Sequence, residues 1–396
     1  MKFDIAIIGA GIVGLATALK IKEKSPGSKL VIIDKEKDVA AHQTGHNSGV
    51  IHSGLYYKPG SLKATNCING YHLLVDFCEQ FEVPYELCGK VVVATTKEEI
   101  PLLNGLFTRG VANGLEGLKM LDKNEIKEHE PHVNGLEGFF VPQTGIVDYA
   151  VVAAKMKILL ENLDTNFALG HPVTDIKTNF GAVLITTQNG SYEASKLINC
   201  AGLYSDKIAT MSGDNPDIKI IPFRGEYYKL KKEKEHLVKN LVYPVPDPNF
   251  PFLGVHFTRM KKGGVEAGPN AVLAYKREGY KKSDISFSEF LETLGWPGFQ
   301  KVAKKYWRTG MGEFYRSYSK SAFTKALQRL VPEIEVNDLV TGGAGVRAQA
   351  CDRNGGLIDD FMIHQTDKVI NVLNAPSPAA TSSLSIGETV AALVVD

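Results

Sequence analysis

Three glycines and one acid near the N-terminus have the spacing that binds a dinucleotide. Gly9, Gly11 and Gly14 form the pattern G-x-G-x-x-G, and Asp34 follows twenty residues after the last of them. In this pattern the first glycine makes a tight turn, the second lets the backbone approach a pyrophosphate, and the third lets a helix pack closely on a strand. An acid at the end of the next strand accepts the ribose hydroxyls. The predicted ligand is FAD or NAD, and Asp34 disfavours a cofactor that carries a 2′-phosphate.

A second polar stretch, residues 41–54, is dense in histidine, glycine, serine and asparagine. In an NAD enzyme, the chain would be expected to enter another strand soon after the second one. A flavoprotein instead needs backbone and small polar groups along the dinucleotide as far as the isoalloxazine ring, and glycines permit that close approach. The stretch therefore favours FAD, with a glycine-rich surface loop as the alternative.

The elements that must position these residues are visible in the hydrophobic pattern. Residues 3–8 are an almost unbroken apolar run, as in a parallel strand that is buried on both faces. Apolar residues at helical spacing follow from Ile12, which predicts a helix whose N-terminal N–H groups receive the phosphates. Residues 30–33 predict the second strand. A later strand at 196–200 ends at Ala201 and Gly202, where the turn is either a second place for backbone beside a dinucleotide or an ordinary turn.

The remainder of the chain predicts a second domain. Residues 221–274 alternate short aromatic and β-branched runs with Pro and Gly turns, which indicates an antiparallel sheet. Residues 286–330 predict helices that carry lysines and arginines among aromatic side chains. This basic, aromatic helical cap is either a solvated surface or a surface that rests on anionic lipid headgroups.

Composition restricts the class of protein. The chain has 396 residues, 44% of them hydrophobic, and a formal net charge of +1, so two domains are expected and nucleic acid is not expected as the main partner. Five cysteines without a C-x-x-C pair suit a reducing compartment. Neither a signal peptide nor a membrane-spanning stretch is predicted. We expect a cytoplasmic protein whose membrane contact, if it has one, is peripheral on the inner face of the cell membrane.

With these features assembled, the sequence resembles the FAD-dependent amino-acid oxidase superfamily, and within it the L-2-hydroxyglutarate dehydrogenases and oxidases. The resemblance covers nearly the full chain and is carried by residues 42–54, 222–227, 251–256, 345–349 and 374–381. It implies oxidation of L-2-hydroxyglutarate, a small dicarboxylate, to 2-oxoglutarate, with electrons passed from FAD to a membrane quinone or to oxygen.

The resemblance also implies an α/β fold in which a Rossmann-like FAD-binding domain receives an inserted antiparallel-sheet α+β substrate domain. The FAD domain is expected at 1–83, 150–220 and 340–396, and the substrate domain at 84–149 and 221–339. No metal is expected. The expected FAD contacts are Gly9, Gly11, Gly14, Asp34, Lys35, Thr44, His46, Asn47, Ser48, Val173, Ala201, Gly202, Pro376, Ser377 and Ala379.

Oxidation of a 2-hydroxy acid requires a base for the hydroxyl proton and cations for the carboxylates. Histidine has the pKa nearest neutrality, and His256 and His52 are both candidates for the base, although a lone histidine is more often structural. Arginine suits carboxylates because its planar fork donates two parallel hydrogen bonds. Arg347 is the first choice. Arg224 and Arg259 are candidates for the distal carboxylate, or else form salt bridges at a domain interface.

The sequence is also compatible with alternative functions. Within the same fold they are oxidation of a small amine, of malate or of glycerol 3-phosphate. A nicotinamide-dependent flavin reductase is disfavoured because the glycines at 342–345 precede another turn and strand rather than a helix. A nucleic-acid-binding or scaffold flavoprotein would account for the basic cap, but the near-zero net charge disfavours it.

Overall fold

The computed structural model describes residues 2–179, 181–248 and 253–395. The strands found there are Lys2–Ile8 (β1), Leu30–Asp34 (β2), Val50–Ile51 (β3), Tyr85–Glu86 (β4), Lys90–Ala94 (β5), Lys119–Leu121 (β6), Glu137–Val141 (β7), Gly145–Val147 (β8), Asn166–Leu169 (β9), Val173–Thr178 (β10), Val183–Thr187 (β11), Gly190–Asn199 (β12), Ile218–Leu230 (β13), Leu241–Pro244 (β14), His256–Arg259 (β15), Val265–Gly268 (β16), Val272–Leu273 (β17), Leu339–Asp352 (β18), Met362–Gln365 (β19) and Val369–Asn374 (β20).

The α-helices in the same residues are Ile12–Lys24 (α1), Leu62–Gln80 (α2), Ile100–Ala112 (α3), Lys123–His129 (α4), Tyr149–Asn162 (α5), Ser205–Met211 (α6), Phe287–Gly295 (α7), Pro297–Tyr318 (α8), Lys320–Leu327 (α9) and Ser383–Val395 (α10). Short 3-10 turns occur at Lys97–Glu99, Gly202–Tyr204, Lys232–Leu237 and Val336–Asp338. No helix of the described ranges is both long and apolar enough to cross a bilayer.

The first sheet is Rossmann-like, as predicted. Its order is β10-β11-β12-β1-β2-β9, with β20 beside β12 and β19 beside β20. The pairs β1–β2, β1–β12, β2–β9 and β12–β20 are parallel. Helices α1, α5 and α10 pack together over this sheet. Because helices cover the parallel strands, apolar runs such as 30–33 are fully buried.

The second sheet belongs to the cap and has the order β17-β13-β16-β15-β14-β5-β7-β6, with β18 along β13. It is antiparallel as predicted, except that β14 and β5 are parallel. The predicted domain boundary at residue 340 does not match the sheets, since β18 pairs with β13 from Leu230↔Leu339 to Ile218↔Asp352. By strand pairing, residues 339–352 therefore belong to the cap. The other domain boundaries remain predictions.

The helical cap predicted for 286–330 is confirmed as α7, α8 and α9. Ser286 caps α7 by accepting a hydrogen bond from the Glu289 N–H, and Ser319 caps α9 in the same way from Ala322. Helix α8 bends at Tyr306, where φ is −109°. The predicted extended segment 252–259 is described only from residue 253, because Phe252 lies outside the described residues, as does Pro251.

Candidate active site

A cavity of about 850 Å³ lies between the two sheets. Its wall includes the glycine turn after β1, the end of β2 and the 40–52 loop on one side. The cap contributes Tyr227, Tyr243, His256 and Arg347. A single cavity therefore joins the predicted cofactor residues to the predicted catalytic residues.

The glycine turn leaves no room for side chains. Gly9 has φ of 111°, and a Cβ there would lie 2.3 Å from the carbonyl oxygen of Cys200. A Cβ on Gly14 would lie 2.1 Å from the Gly9 carbonyl oxygen. The packing role predicted for the third glycine fits this geometry, whereas Gly14 is not among the residues that line the cavity and its contact with the cofactor stays a prediction.

Asp34 both lines the cavity and holds the turn. Its carboxylate accepts hydrogen bonds from the Ala10 N–H at 2.6 Å and from the Glu36 N–H at 2.9 Å. The Thr44 hydroxyl accepts from the Ile12 N–H, at the first residue of α1, at 3.0 Å. The loop after β2 is thus tied to the helix N-terminus that the sequence assigns to phosphates.

The remaining predicted cofactor contacts all lie on the cavity wall. The Asn47 amide donates to the Thr44 carbonyl at 2.6 Å and accepts from the Gly49 N–H at 2.8 Å, which fixes the loop. The wall residues are Lys35, His46, Ser48, Val173, Ala201, Gly202, Pro376, Ser377 and Ala379, together with Gly9, Gly11, Asp34, Thr44 and Asn47.

An ion cluster on this wall joins the loop after β2 to the cap. The Lys35 ammonium lies 2.7 Å from a Glu278 carboxylate oxygen, and His42 Nε2 lies 3.0 Å from the same oxygen. Burial favours the neutral form of Glu278, but its hydrogen bonds with His42 and Lys35 prevail and lower its pKa to about 2. The Tyr280 ring stacks on His46 with centroids 4.2 Å apart. No local pattern predicts this cluster, because Glu278 and Tyr280 lie more than 230 positions after Lys35, His42 and His46.

His256 is buried at the start of β15 and borders the cavity. Its Nδ1–H donates to the Gly254 carbonyl at 2.9 Å, and its ring lies 4.0 Å from the Tyr243 ring between centroids. Burial, with further repulsion from Arg347 and Lys90, lowers the pKa of His256 to about 3. The ring is therefore neutral at ordinary pH, as a proton acceptor must be.

His52 lies on the same wall, at the end of the 40–52 loop. Its backbone N–H donates to the Thr381 hydroxyl at 3.1 Å. Burial, and repulsion from Lys90, His256, Arg347 and Lys63, lower its pKa to about 3. Both histidines therefore reach the cavity as neutral bases. They are close enough that a proton on His256 would disfavour a proton on His52.

The three predicted arginines differ in whether they line the cavity. Arg347 lines the cavity, from β18. Arg224 is buried against Glu226, with Nε–Oε1 of 3.0 Å, and is absent from the wall. Arg259 forms an ion pair with Glu86 of β4 and is also absent from the wall. Both guanidinium groups are thus paired with carboxylates of the protein, as in the salt-bridge alternative, although both pairs lie within the predicted substrate domain rather than at a domain interface. Binding of the distal carboxylate by Arg224 or Arg259 stays a prediction that this geometry does not favour.

Comparison with known proteins agrees with this geometry. Residues 4–393 match the family described as FAD dependent oxidoreductase (DAO). The chain belongs to this family. The FAD-dependent oxidoreductase is 65% identical over 391 residues to an L-2-hydroxyglutarate dehydrogenase of Indibacter alkaliphilus, covering 98% of each chain. It is 48% identical to the mitochondrial L-2-hydroxyglutarate dehydrogenase of Caenorhabditis elegans, covering 98% of this chain and 92% of the relative.

Solved structures show the same fold. L-alpha-glycerophosphate oxidase from Mycoplasma pneumoniae, solved with FAD bound, has a TM-score of 0.80 at 24% identity and covers 100% of this chain and 95% of its own. The predictions of an α/β Rossmann-like fold, of FAD as cofactor and of membership in this superfamily are thereby confirmed.

The oxidoreductase has a site that fits FAD. The glycine turn lines the cavity at Gly9 and Gly11, the N-terminus of α1 borders it at Ile12 and Val13, and Asp34 stands on its wall at the end of β2. Sequence reasoning missed the tyrosines of the substrate end, Tyr56, Tyr227 and Tyr243, which line the wall. It also missed Lys90, whose charge at the head of the apolar run 91–94 was the available signal.

Proposed function

We propose that this FAD-dependent oxidoreductase oxidises L-2-hydroxyglutarate to 2-oxoglutarate. The observation that carries the proposal is the joining of Arg347, His52 and His256 to the cofactor residues in one cavity. The names of the relatives agree with it. A bidentate cation and a neutral imidazole are what a 2-hydroxy acid requires.

In the proposed mechanism, the Arg347 guanidinium binds the carboxylate beside the hydroxyl group and orients the substrate. His256 takes the hydroxyl proton on Nε2, since Nδ1–H is committed to Gly254. Bound FAD supplies the hydride acceptor. Burial of His256 keeps the imidazole neutral, and the low dielectric around buried groups would strengthen the ion pair between guanidinium and carboxylate.

The test is anaerobic reduction of the purified, yellow holoenzyme with a panel of L-2-hydroxyglutarate, D-2-hydroxyglutarate, L-malate, glycerol 3-phosphate and glycine. We expect the flavin to bleach fastest, per unit concentration, with L-2-hydroxyglutarate. Faster bleaching with malate, glycerol 3-phosphate or glycine would replace the proposed substrate with one of the alternatives. Bleaching by NADH would instead indicate a flavin reductase.

For the electron acceptor we propose a membrane quinone, reached by peripheral contact on the inner face of the membrane. The support is an exposed surface on α7 and α8, which we call the cap surface. Its apolar members are spaced at i, i+4 and i+7 or i+8, and are Phe287, Leu291, Leu294, Trp307, Met311 and Tyr315. Phe287 is 78% exposed and Trp307 is 59% exposed.

Cations lie along α8 with the apolar members of that helix, whereas α7 carries only the acids Glu289 and Glu292. Lys301, Lys304, Lys305 and Arg308 are exposed on α8, and Glu313, the one acid of this helix, is buried. Apolar side chains with a cationic border are typical of segments that lie on anionic lipid. Turnover with a soluble quinone in air, compared with turnover in air alone, tests the acceptor. Full activity with oxygen alone would contradict the proposed quinone.

A further inference from the structure

Lys90 is a buried cation directly behind the cavity wall. It opens β5, and its side chain is 1% exposed. Its ammonium lies 4.6 Å from the ring centroid of Tyr56 and 4.9 Å from that of Tyr243, and both tyrosines line the cavity. Within the described ranges it makes no ion pair with a carboxylate.

An unpaired buried charge is costly, and two buried arginines of this fold are paired with carboxylates. The buried side chain of Arg277 binds the Asp206 carboxylate at 2.6 Å, and Arg224 binds Glu226 at 3.0 Å. Lys90 instead has two aromatic faces, which attract a cation but do not neutralise its charge. Burial lowers the pKa of Lys90 to about 7, so an arriving anion would favour its charged form.

The second observation concerns the Tyr56 hydroxyl. This oxygen is buried and has no hydrogen-bond partner among the described residues. Buried hydroxyl groups are normally hydrogen-bonded, so one on a cavity wall without a partner is available to a ligand. A cation over the face of the ring draws electron density from the phenol and makes its O–H a stronger donor to an anion.

The same lysine is linked to the candidate base. The Lys90 ammonium lies over the Tyr243 ring, and this ring packs against the His256 ring. The charge of Lys90 also lowers the pKa of both His52 and His256. A dicarboxylate needs a second cationic subsite besides Arg347, and neither Arg224 nor Arg259 reaches the cavity. Lys63 does reach it, but its charge is paired with Asp359 at 2.7 Å.

We propose that Tyr56 and Lys90 form the subsite for the second carboxylate of the substrate. Tyr56 donates its hydroxyl hydrogen to that carboxylate, and Lys90 is a positioning residue that holds the two tyrosine rings and supplies the positive charge. The inference rests on the proposed function, because it assigns the distal end of the same dicarboxylate.

The experiment compares two substrates on FAD-loaded Tyr56→Phe and Lys90→Met variants. L-2-hydroxyglutarate carries the second carboxylate, whereas L-2-hydroxypentanoate has a methyl group in its place. Loss of a hydrogen bond to a charged group should raise KM for L-2-hydroxyglutarate by about 10- to 100-fold with a smaller change in kcat. The kcat/KM for L-2-hydroxypentanoate should fall much less than that for L-2-hydroxyglutarate in both variants, so the ratio of the two values is the readout. Lys119→Met, an exposed lysine of the same sheet, is the matched control.

A binding measurement accompanies the kinetics. Glutarate and pentanoate, which carry no oxidisable hydroxyl group, are titrated against the visible spectrum of the bound flavin. We expect Tyr56→Phe and Lys90→Met to weaken glutarate and to leave pentanoate unchanged. This readout separates a carboxylate subsite from a general loss of packing, which would weaken both ligands.

Equal losses for the two substrates in Tyr56→Phe would overturn the proposal. So would a loss selective for L-2-hydroxyglutarate in Lys63→Met that Tyr56→Phe does not share. If Lys90→Met does not fold, Tyr56→Phe decides, since it removes one oxygen atom only. If the wild-type holoenzyme does not oxidise L-2-hydroxyglutarate, the proposed function fails, and preferential binding of glutarate over pentanoate still tests the subsite separately.

Discussion

The imidazole of His256 donates its Nδ1–H to the carbonyl oxygen of Gly254 at 2.9 Å. A carbonyl oxygen only accepts, so this bond fixes the tautomer and leaves the lone pair on Nε2. The side chain of His52 has no hydrogen-bond partner of this kind among the described residues. Both histidines border the cavity, but only His256 has a ring whose proton-accepting atom is defined by its surroundings.

We expect His256→Ala to lower the rate constant for flavin reduction by about 10²- to 10⁴-fold, the usual cost of losing a general base. KM for L-2-hydroxyglutarate should change little, because the carboxylate contacts remain. Rapid-mixing anaerobic reduction measures both quantities, with His52→Ala as the comparison. Should His52→Ala abolish reduction while His256→Ala behaves as wild type, the base lies on the 40–52 loop. If neither variant lowers the rate constant, the hydroxyl proton goes to another group or to water.

The acid side of the pH profile is a second test. The pKa of His256 is lowered to about 3, mainly by burial, and a base acts only above its pKa. We therefore expect the rate constant for flavin reduction at saturating L-2-hydroxyglutarate to stay level from about pH 5 to 8, where an ordinary histidine would titrate. An inflection near 6.5 that disappears in His256→Ala would show that the imidazole is not desolvated in the holoenzyme.

The cofactor half of the site was largely predictable because its signals are local. The glycine turn, the helix from Ile12 and the acid at Asp34 follow one another within 34 residues, and each is encoded by short-range periodicity. Gly14 shows what the motif leaves open, since it packs against the Gly9 carbonyl and is not among the residues that line the cavity. A motif gives the positions that matter, but the contact between helix and strand decides which glycine faces the cavity.

The arginines could not be sorted from sequence because their orientation depends on strand pairing. In the β13–β18 ladder Arg347 is opposite Phe223, whereas Arg224 is opposite Val346. Paired residues share a face and neighbours alternate, so the two arginines project from opposite faces of the sheet. The register of two strands more than 100 residues apart carries this information, and no local pattern does. Tyr56 lies in a loop, where no periodic pattern indicates which side chains face the cavity, whereas the charge of Lys90 before the apolar run 91–94 was a signal in the sequence.

We expect Arg347→Lys to raise KM for L-2-hydroxyglutarate with a smaller effect on kcat. Lysine keeps the charge but loses the two-pronged geometry, and the carboxylate is bound in both the ground state and the transition state. Steady-state kinetics with a saturating acceptor measures the effect. Arg259→Lys is the control, because its partner Glu86 is largely exposed and exposed pairs contribute little. Equal changes in both variants would contradict a carboxylate-binding role for Arg347.

The ion cluster at Lys35 should slow the release of FAD. The Glu278 carboxylate links the cap to Lys35 and His42 on the cofactor wall, so we expect Glu278→Gln to release FAD faster on dilution. Recovery of free-flavin fluorescence measures the rate. Glu333→Gln, which removes a surface partner of His132, is the control. Identical release from Glu278→Gln and wild type would show that the cluster does not restrain the cofactor.

The same cluster gives a pH dependence with a defined sign. Burial opposes the charged form of His42, but its hydrogen bond with Glu278 prevails and raises the pKa above 6.5. The stability that His42 contributes is therefore fully present below pH 6.5 and is lost as the pH rises through the raised pKa. We expect the difference in melting temperature between wild type and His42→Gln to shrink over that interval. A difference that grows with pH would contradict the assignment.

The cap surface gives the last prediction, in which two kinds of interaction have to act together. Apolar side chains such as Phe287 and Trp307 gain by leaving water, while the lysines of α8 gain by approaching anionic headgroups, at about 1 kcal/mol per charge near the surface. We therefore expect the holoenzyme to sediment with vesicles that contain phosphatidylglycerol, and not with pure phosphatidylcholine vesicles. Salt should release it.

Two variants separate the contributions to membrane binding. Lys304→Glu with Lys305→Glu should weaken binding to phosphatidylglycerol vesicles most at low salt, and Phe287→Ser with Trp307→Ser should weaken it at every phosphatidylglycerol content. Ile158→Ser, at a residue 52% exposed on α5, is the matched control for losing an exposed apolar side chain. Because none of these residues lines the cavity, turnover with a soluble quinone should stay at the wild-type level in all of them. Two results would mean that α7 and α8 form a solvated surface. One is sedimentation that does not depend on lipid charge, and the other is an Ile158→Ser variant that binds vesicles as weakly as the cap variants do.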